Sequence, residues 1–87
     1  MRLSKKVFIR FEPEMNEGTV YIFNRQTEKI YKSQKIVYDV LKNIDERELG
    51  EIVQRVNNEY PEYSQEKIKK VVFEIIEKLK IMKVIEC

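Results

Sequence analysis

The hydrophobic period of this chain changes once, near Ser33, and that change limits the folds open to it more than any single motif does. Before it, Val7, Ile9 and Phe11 alternate onto one side of an extended segment. Thr19-Val20-Tyr21-Ile22-Phe23 repeats the same β-branched and aromatic chemistry, and Lys29-Ile30-Tyr31-Lys32 offers a shorter third run. After it, Ile36, Val37, Val40, Leu41 and Ile44 fall at the three- and four-residue spacing of an amphipathic helix. A chain that changes period in this way builds its sheet first and packs helices on it afterwards, which predicts an α+β fold.

The breaks between the periodic runs set the boundaries. Pro13, Asn16 and Gly18 make a turn between the first two strands, and Asn24 to Glu28 makes a second, so the expected strands cover about 6–12, 19–24 and 29–33 as an antiparallel meander. Helices are expected over about 34–44, 46–60 and 64–82. Asp45 with Glu48 reads as a capping pair ahead of Leu49, Ile52, Val53 and Val56, although Gly50 interrupts that helical pattern. Ser64 reads as the cap of the third helix, whose stripe of Ile68, Val71, Val72, Ile75, Ile76, Leu79 and Met82 runs for about five turns. Val84 and Ile85 are left as an extended tail. Three strands followed by three helices at short spacing predict a winged helix-turn-helix arrangement in one domain over residues 1–87.

Composition removes several classes of function. The chain has 87 residues, no histidine, and one cysteine, Cys87, at its last position. Imidazole ligation of a metal and imidazole acid–base chemistry are therefore excluded, as are an internal disulfide and a thiolate cluster. No glycine-rich phosphate loop occurs, and acidic pairs such as Glu12 with Glu14 flank a turn without a catalytic partner, so no enzyme, metal or cofactor is expected. The N-terminus has basic residues but no apolar stretch behind it, and the single cysteine fits a reducing compartment, so the chain reads as cytoplasmic with no membrane partner. Seventeen basic against fifteen acidic residues leave a net charge of +2, short of the excess a nucleic-acid binder carries.

The layout resembles that of the PqqD-like family, small winged-helix domains that recognise the leader of a ribosomally made precursor peptide. The likeness runs through Val7-Phe8-Ile9-Arg10-Phe11, Gly18, Val20-Tyr21-Ile22-Phe23 with Asn24 and Thr27, and Ile30-Tyr31. It continues through Val40-Leu41, Ile44-Asp45, Glu51-Ile52, and Val72 with Ile75, Ile76 and Leu79. Three positions depart from the family pattern: Arg25 and Glu28 replace the Pro and Gly of its Asn-Pro-x-Thr-Gly turn, Ser33-Gln34 its Leu-Asn, and Lys83-Val84-Ile85 its closing Gly-Leu-Leu. The resemblance implies a non-enzymatic module that binds a leader peptide and presents it to a modifying enzyme, often a radical S-adenosylmethionine protein. It also implies that the peptide adds as a strand to the open edge of the third strand, with its side chains against the third helix.

The residues themselves give that reading a shape. Lys29, Ile30, Tyr31, Lys32 and Ser33 contain no proline, so every backbone group can pair with an added strand, while the two lysines equally suit an edge protected from aggregation. On the third helix, Ile68, Val72, Ile75 and Leu79 centre the buried stripe, and Phe73 falls roughly 120° away, beside Lys69 and Lys80. Phe73 and Ile76 are therefore expected to wall a groove, with Lys69 or Lys80 facing peptide carboxylates; the alternative is that Phe73 packs on the sheet or lies singly exposed. Lys67, Lys70, Glu74 and Lys78 read as a polar edge, solvated or able to hold carboxylates. Phe8, Tyr21, Phe23 and Tyr31 are expected on one face of the sheet and Val7, Ile9, Val20, Ile22 and Ile30 on the other, so that a second cover is needed, either the protein's own loops, the second subunit of a homodimer or a bound partner.

The competing reading is a winged-helix DNA-binding regulator with the third helix in the major groove. Residues 45–62 weigh against it, with six acidic residues (Asp45, Glu46, Glu48, Glu51, Glu59, Glu62) against Arg47 and Arg55. A helix so charged repels the phosphate backbone it would have to cross.

Overall fold

The computed structural model describes residues 1–86; Cys87 lies outside the described residues. In chain order it contains β1 (Arg2–Leu3), β2 (Val7–Glu12), β3 (Thr19–Asn24), β4 (Lys29–Gln34), α1 (Lys35–Lys42), α2 (Leu49–Glu59), α3 (Gln65–Ile81) and β5 (Ile85–Glu86). Strands β2, β3 and β4 form an antiparallel sheet in that order, followed by the three helices, an α+β fold of the winged-helix kind. The Val84-Ile85 tail is not free: Ile85 pairs with Leu3 and Glu86 with Arg2 in a two-stranded clamp that closes the two ends of the chain on each other. Two residues per strand carry too little pattern to announce such a clamp in the sequence.

The strand register comes from the turns. Gly18 has φ 115°, and a Cβ there would stand 3.0 Å from the Lys35 Cβ and 3.1 Å from the Phe11 ring, so the first turn closes only around glycine. The second turn pairs Asn24 with Lys29, which places Phe23 opposite Ile30 and Ile22 opposite Tyr31. This register corrects the sequence assignment of faces: Ile30 joins Phe8 and Phe23 on the outer face, while Tyr31 turns inward with Ile9 and Ile22. One residue of slip exchanges the faces of a strand, and the two neighbouring apolar residues of β4 made both registers plausible.

The inner face packs on the helices. Val7, Val20 and Ile22 meet Val40, Ile44, Ile52, Val56, Ile68, Val72, Ile76 and Leu79 in one core. The fully buried Asn24 ties the sheet to the end of α3: its side-chain amide donates to the Met82 and Lys83 carbonyls at 3.1 and 3.2 Å. Its carbonyl oxygen accepts from the Gln26 and Thr27 backbone at 2.9 and 3.4 Å. An asparagine that satisfies both halves of its amide in this way fixes the second turn and the helix end together.

Of two expected helix caps, one forms and one does not. Ser64 caps α3 as its sequence predicts, its hydroxyl accepting from the Lys67 amide at 3.2 Å. Asp45 and Glu48 form no capping pair, because Glu46 takes φ 62° in the left-handed region, where no right-handed helix can pass, and α2 begins at Leu49 with Glu48 as an N-cap that makes no side-chain bond. The Glu46 amide donates instead to the Met1 carbonyl at 2.8 Å.

Glu28 and Lys83 stand where the PqqD-like pattern has glycine, and both are left-handed, with φ 60° each. The backbone keeps a glycine-favouring conformation with side chains in place, at a cost of roughly 1 kcal/mol each. Lys83→Gly is expected to raise the unfolding free energy by about 0.5 kcal/mol, the relief of that strain less the greater freedom of glycine in the unfolded chain. Urea denaturation checks it; a lower midpoint would show that the lysine contributes more than its backbone costs.

Candidate functional site

Strand β4 has β3 on one side, and among the described residues no strand pairs with its other edge. Beside that edge lies an open groove of about 940 Å³. Lys32, Ser33 and Gln34 of β4 form one wall, and Lys67, Ile68 and Val71 of α3 the other. Lys35 and Ile36 at the start of α1 lie along it with Tyr60 and Tyr63 from the α2–α3 connection, and Glu17, Gly18 and Thr19 close one end. β4 passes into α1 with no residue between them, so the strand edge and the helix start hold one orientation.

The groove's position rests on a buried carboxylate. Asp39 of α1 is wholly buried. Its Oδ2 accepts from the Tyr60 hydroxyl at 2.5 Å and from Lys35 Nζ at 2.9 Å. Lys42 Nζ stands 3.3 Å from Oδ1, near enough for attraction but not aligned for a hydrogen bond, and bridges to Glu59 at 3.2 Å. Burial opposes ionisation of Asp39, but the Tyr60 hydroxyl, the Lys35 ammonium and Lys42 together outweigh it and hold its pKa below the ordinary value of 3.8. Burial, then the bond to Asp39, pushes the Tyr60 phenol well above its usual range, so it remains a donor. Lys35 and Tyr60 both line the groove, and the Lys35 ammonium also sits 5.4 Å from the centre of the Tyr60 ring.

Of the β4 residues expected at the site, Lys32 and Ser33 line the groove; Lys29 and Ile30 are exposed along the same strand, and Tyr31 is half-buried against the core. The α3 residues fall elsewhere. Ile76 is 2% exposed and belongs to the core, displacing Ile75 from the centre of the stripe. Phe73 is 50% exposed, as its position off the stripe predicts, but it lies about 200° around the helix from Val71, at ~100° per residue. Lys69 and Lys80 flank it on that far side, Lys80 within 3.7 Å of Glu77, and none of the three lines the groove. Both flanks of an apolar stripe look alike in sequence, and only the packing of the helix selects one. In the sequence Lys67 reads as part of a polar edge, solvated or able to hold carboxylates, and Val71 as part of the buried stripe, while Tyr60 and Tyr63, a visible aromatic pair around Pro61, carry no site assignment.

A second surface lies on the outer face of the sheet. Phe8, Phe23 and Ile30 stand directly across three strands, 55%, 39% and 68% exposed, with the Arg25 guanidinium 5.6 Å from the Phe8 ring centre. The expected doubly apolar sheet is therefore present, its outer row uncovered. Among the described residues no group of histidine, cysteine and carboxylate side chains could hold a metal, and no helix is long and apolar enough to cross a membrane.

No family model and no curated protein matches the chain. Among solved structures it is similar to TbiB1 in complex with the TbiA(beta) leader peptide, at a TM-score of 0.80 and 16% identity over 99% of this chain and 95% of that one. The fold is thus that of TbiB1, reached with few shared residues.

Asp39→Asn keeps the shape of the side chain and an acceptor for Tyr60 but removes the charge that Lys35 and Lys42 face, and is expected to cost about 1–3 kcal/mol at pH 7. Because the folded-state pKa lies below the unfolded one, this stabilisation is complete above about pH 4 and declines as pH falls through the folded value. Urea midpoints of the two proteins should therefore converge below pH 4. A gap that persists unchanged to pH 2 would refute the ionised network.

Proposed function

We propose that the chain is a non-catalytic peptide-binding module that takes the leader segment of a ribosomally synthesised precursor as an added strand on β4 and presents it to a separate modifying enzyme, of the radical S-adenosylmethionine type or another. The observation that carries this reading is the coincidence of an unpaired strand edge with a groove of mixed apolar and basic lining. An open edge supplies main-chain donors and acceptors for affinity, and the groove supplies contacts that fix register. β2 also has an open edge, but the groove runs beside β4 alone. The shared fold with TbiB1, whose structure contains a leader peptide, supports the same reading.

In this proposal Lys29, Ile30, Tyr31, Lys32 and Ser33 pair with the peptide through their backbone, and the α3 contacts pass to Lys67, Ile68 and Val71 in place of Lys69, Phe73, Ile76 and Lys80. The DNA-binding alternative finds less support, since Arg47 and Arg55 both pair with Glu51, at 2.7 and 3.4 Å, and are not free for phosphates.

Peptides selected from a displayed library of random 12-residue sequences serve as the probe. Backbone N–H groups alternate in direction along a strand, so of Tyr31→Pro and Lys32→Pro one removes a donor facing β3 and the other a donor facing the open edge. The variant that keeps the native circular dichroism spectrum should bind selected peptides at least tenfold more weakly, about 1.4 kcal/mol. Unchanged affinity in that variant would move the docking site off β4.

A further inference from the structure

Lys35 is compensated by Asp39, but Lys32 and Lys67 have no carboxylate within 4.0 Å among the described residues. Lys67 stands on the α3 wall of the groove, whereas the Lys32 side chain, two residues from Ile30, shares the outer face of the sheet and only its backbone borders the groove; Glu17 is the single acidic residue in the lining. The Lys67 ammonium lies 4.8 Å from the centre of the Tyr63 ring, held over an aromatic face with its outer side open. One turn further along α3, Val71 presents a half-buried apolar wall with Ile36 nearby in the lining. A cation without a partner beside an apolar wall calls for an occupant with the complementary pair: a carboxylate and an apolar side chain.

The spacing of these groups adds a constraint. Lys67 and Val71 are four residues apart on a helix, about 6 Å along its axis. In an extended strand, side chains on one face recur every second residue, about 6.7 Å apart. For a strand lying along α3, the residue two positions from the one seated against Val71 reaches Lys67. We propose that the groove selects extended peptides carrying Asp or Glu two residues from an aliphatic or aromatic anchor, with Lys67 as the residue that reads the acid. This inference rests on the peptide-binding reading and specifies the chemistry of its ligand.

The test uses a displayed library of random 12-residue peptides, selected separately on the wild-type protein and on Lys67→Glu. Lys67 is exposed and only its backbone amide serves the Ser64 cap, so the variant should fold as the parent does. Wild-type selection should enrich Asp or Glu two positions from an aliphatic or aromatic residue. Lys67→Glu should bind those peptides at least tenfold more weakly, and its own selection should replace the acid at that position with Lys or Arg. Peptides that bind but lack the acidic position, or keep it on Lys67→Glu, would overturn the inference while leaving peptide binding intact. A library that yields no binder to the wild type would overturn both.

Discussion

Asp39 is the interaction on which the geometry of this molecule turns. A carboxylate with no access to water is tolerated only if its charge is matched, and here the matching groups come from two places: Lys35 and Lys42 on its own helix, and Tyr60 just beyond the end of α2. The network fixes the end of α2 against α1, and α1 is continuous with β4. The start of α3, five residues beyond Tyr60, is thereby held beside the edge of β4 at a set distance. The groove exists because these three elements cannot move independently.

The opposite end of the sheet is fixed in a related way by a neutral group. Asn24 binds the end of α3 through its amide and the second turn through its carbonyl, so α3 is anchored to the sheet near its C-terminus while Asp39 controls the region of its N-terminus. Two left-handed residues, Glu28 and Lys83, sit in the two segments that Asn24 joins. Their backbone shape persists without glycine because both segments are tied by the same buried side chain.

The element order was legible because each element has an unambiguous period, and Ser64 announced its helix because a serine ahead of an apolar stripe has one favoured use. What failed to show was whatever depended on choosing between equivalent faces. Ile30 and Tyr31 are adjacent and both suit a core, so only the length of the preceding turn decides which points inward. Val71 and Phe73 flank one stripe symmetrically, and the Asp39 network, which sets the side of α3 that meets the strand, joins residues 21 apart in sequence with no motif between them. Asp45 and Glu48 had the chemistry of a cap, yet the left-handed Glu46 overrode it.

The central claim is that the open edge of β4 is where an extended peptide pairs. Amide hydrogen exchange followed by NMR, with and without a saturating library-selected peptide, tests it most directly, since an added strand bonds every second backbone group of its neighbour. The account predicts that alternate amides within Lys29–Gln34 become protected while those of β2 keep their exchange rates. Protection appearing in Val7–Glu12 instead, or complex formation that leaves every β4 amide exchanging as before, would contradict it.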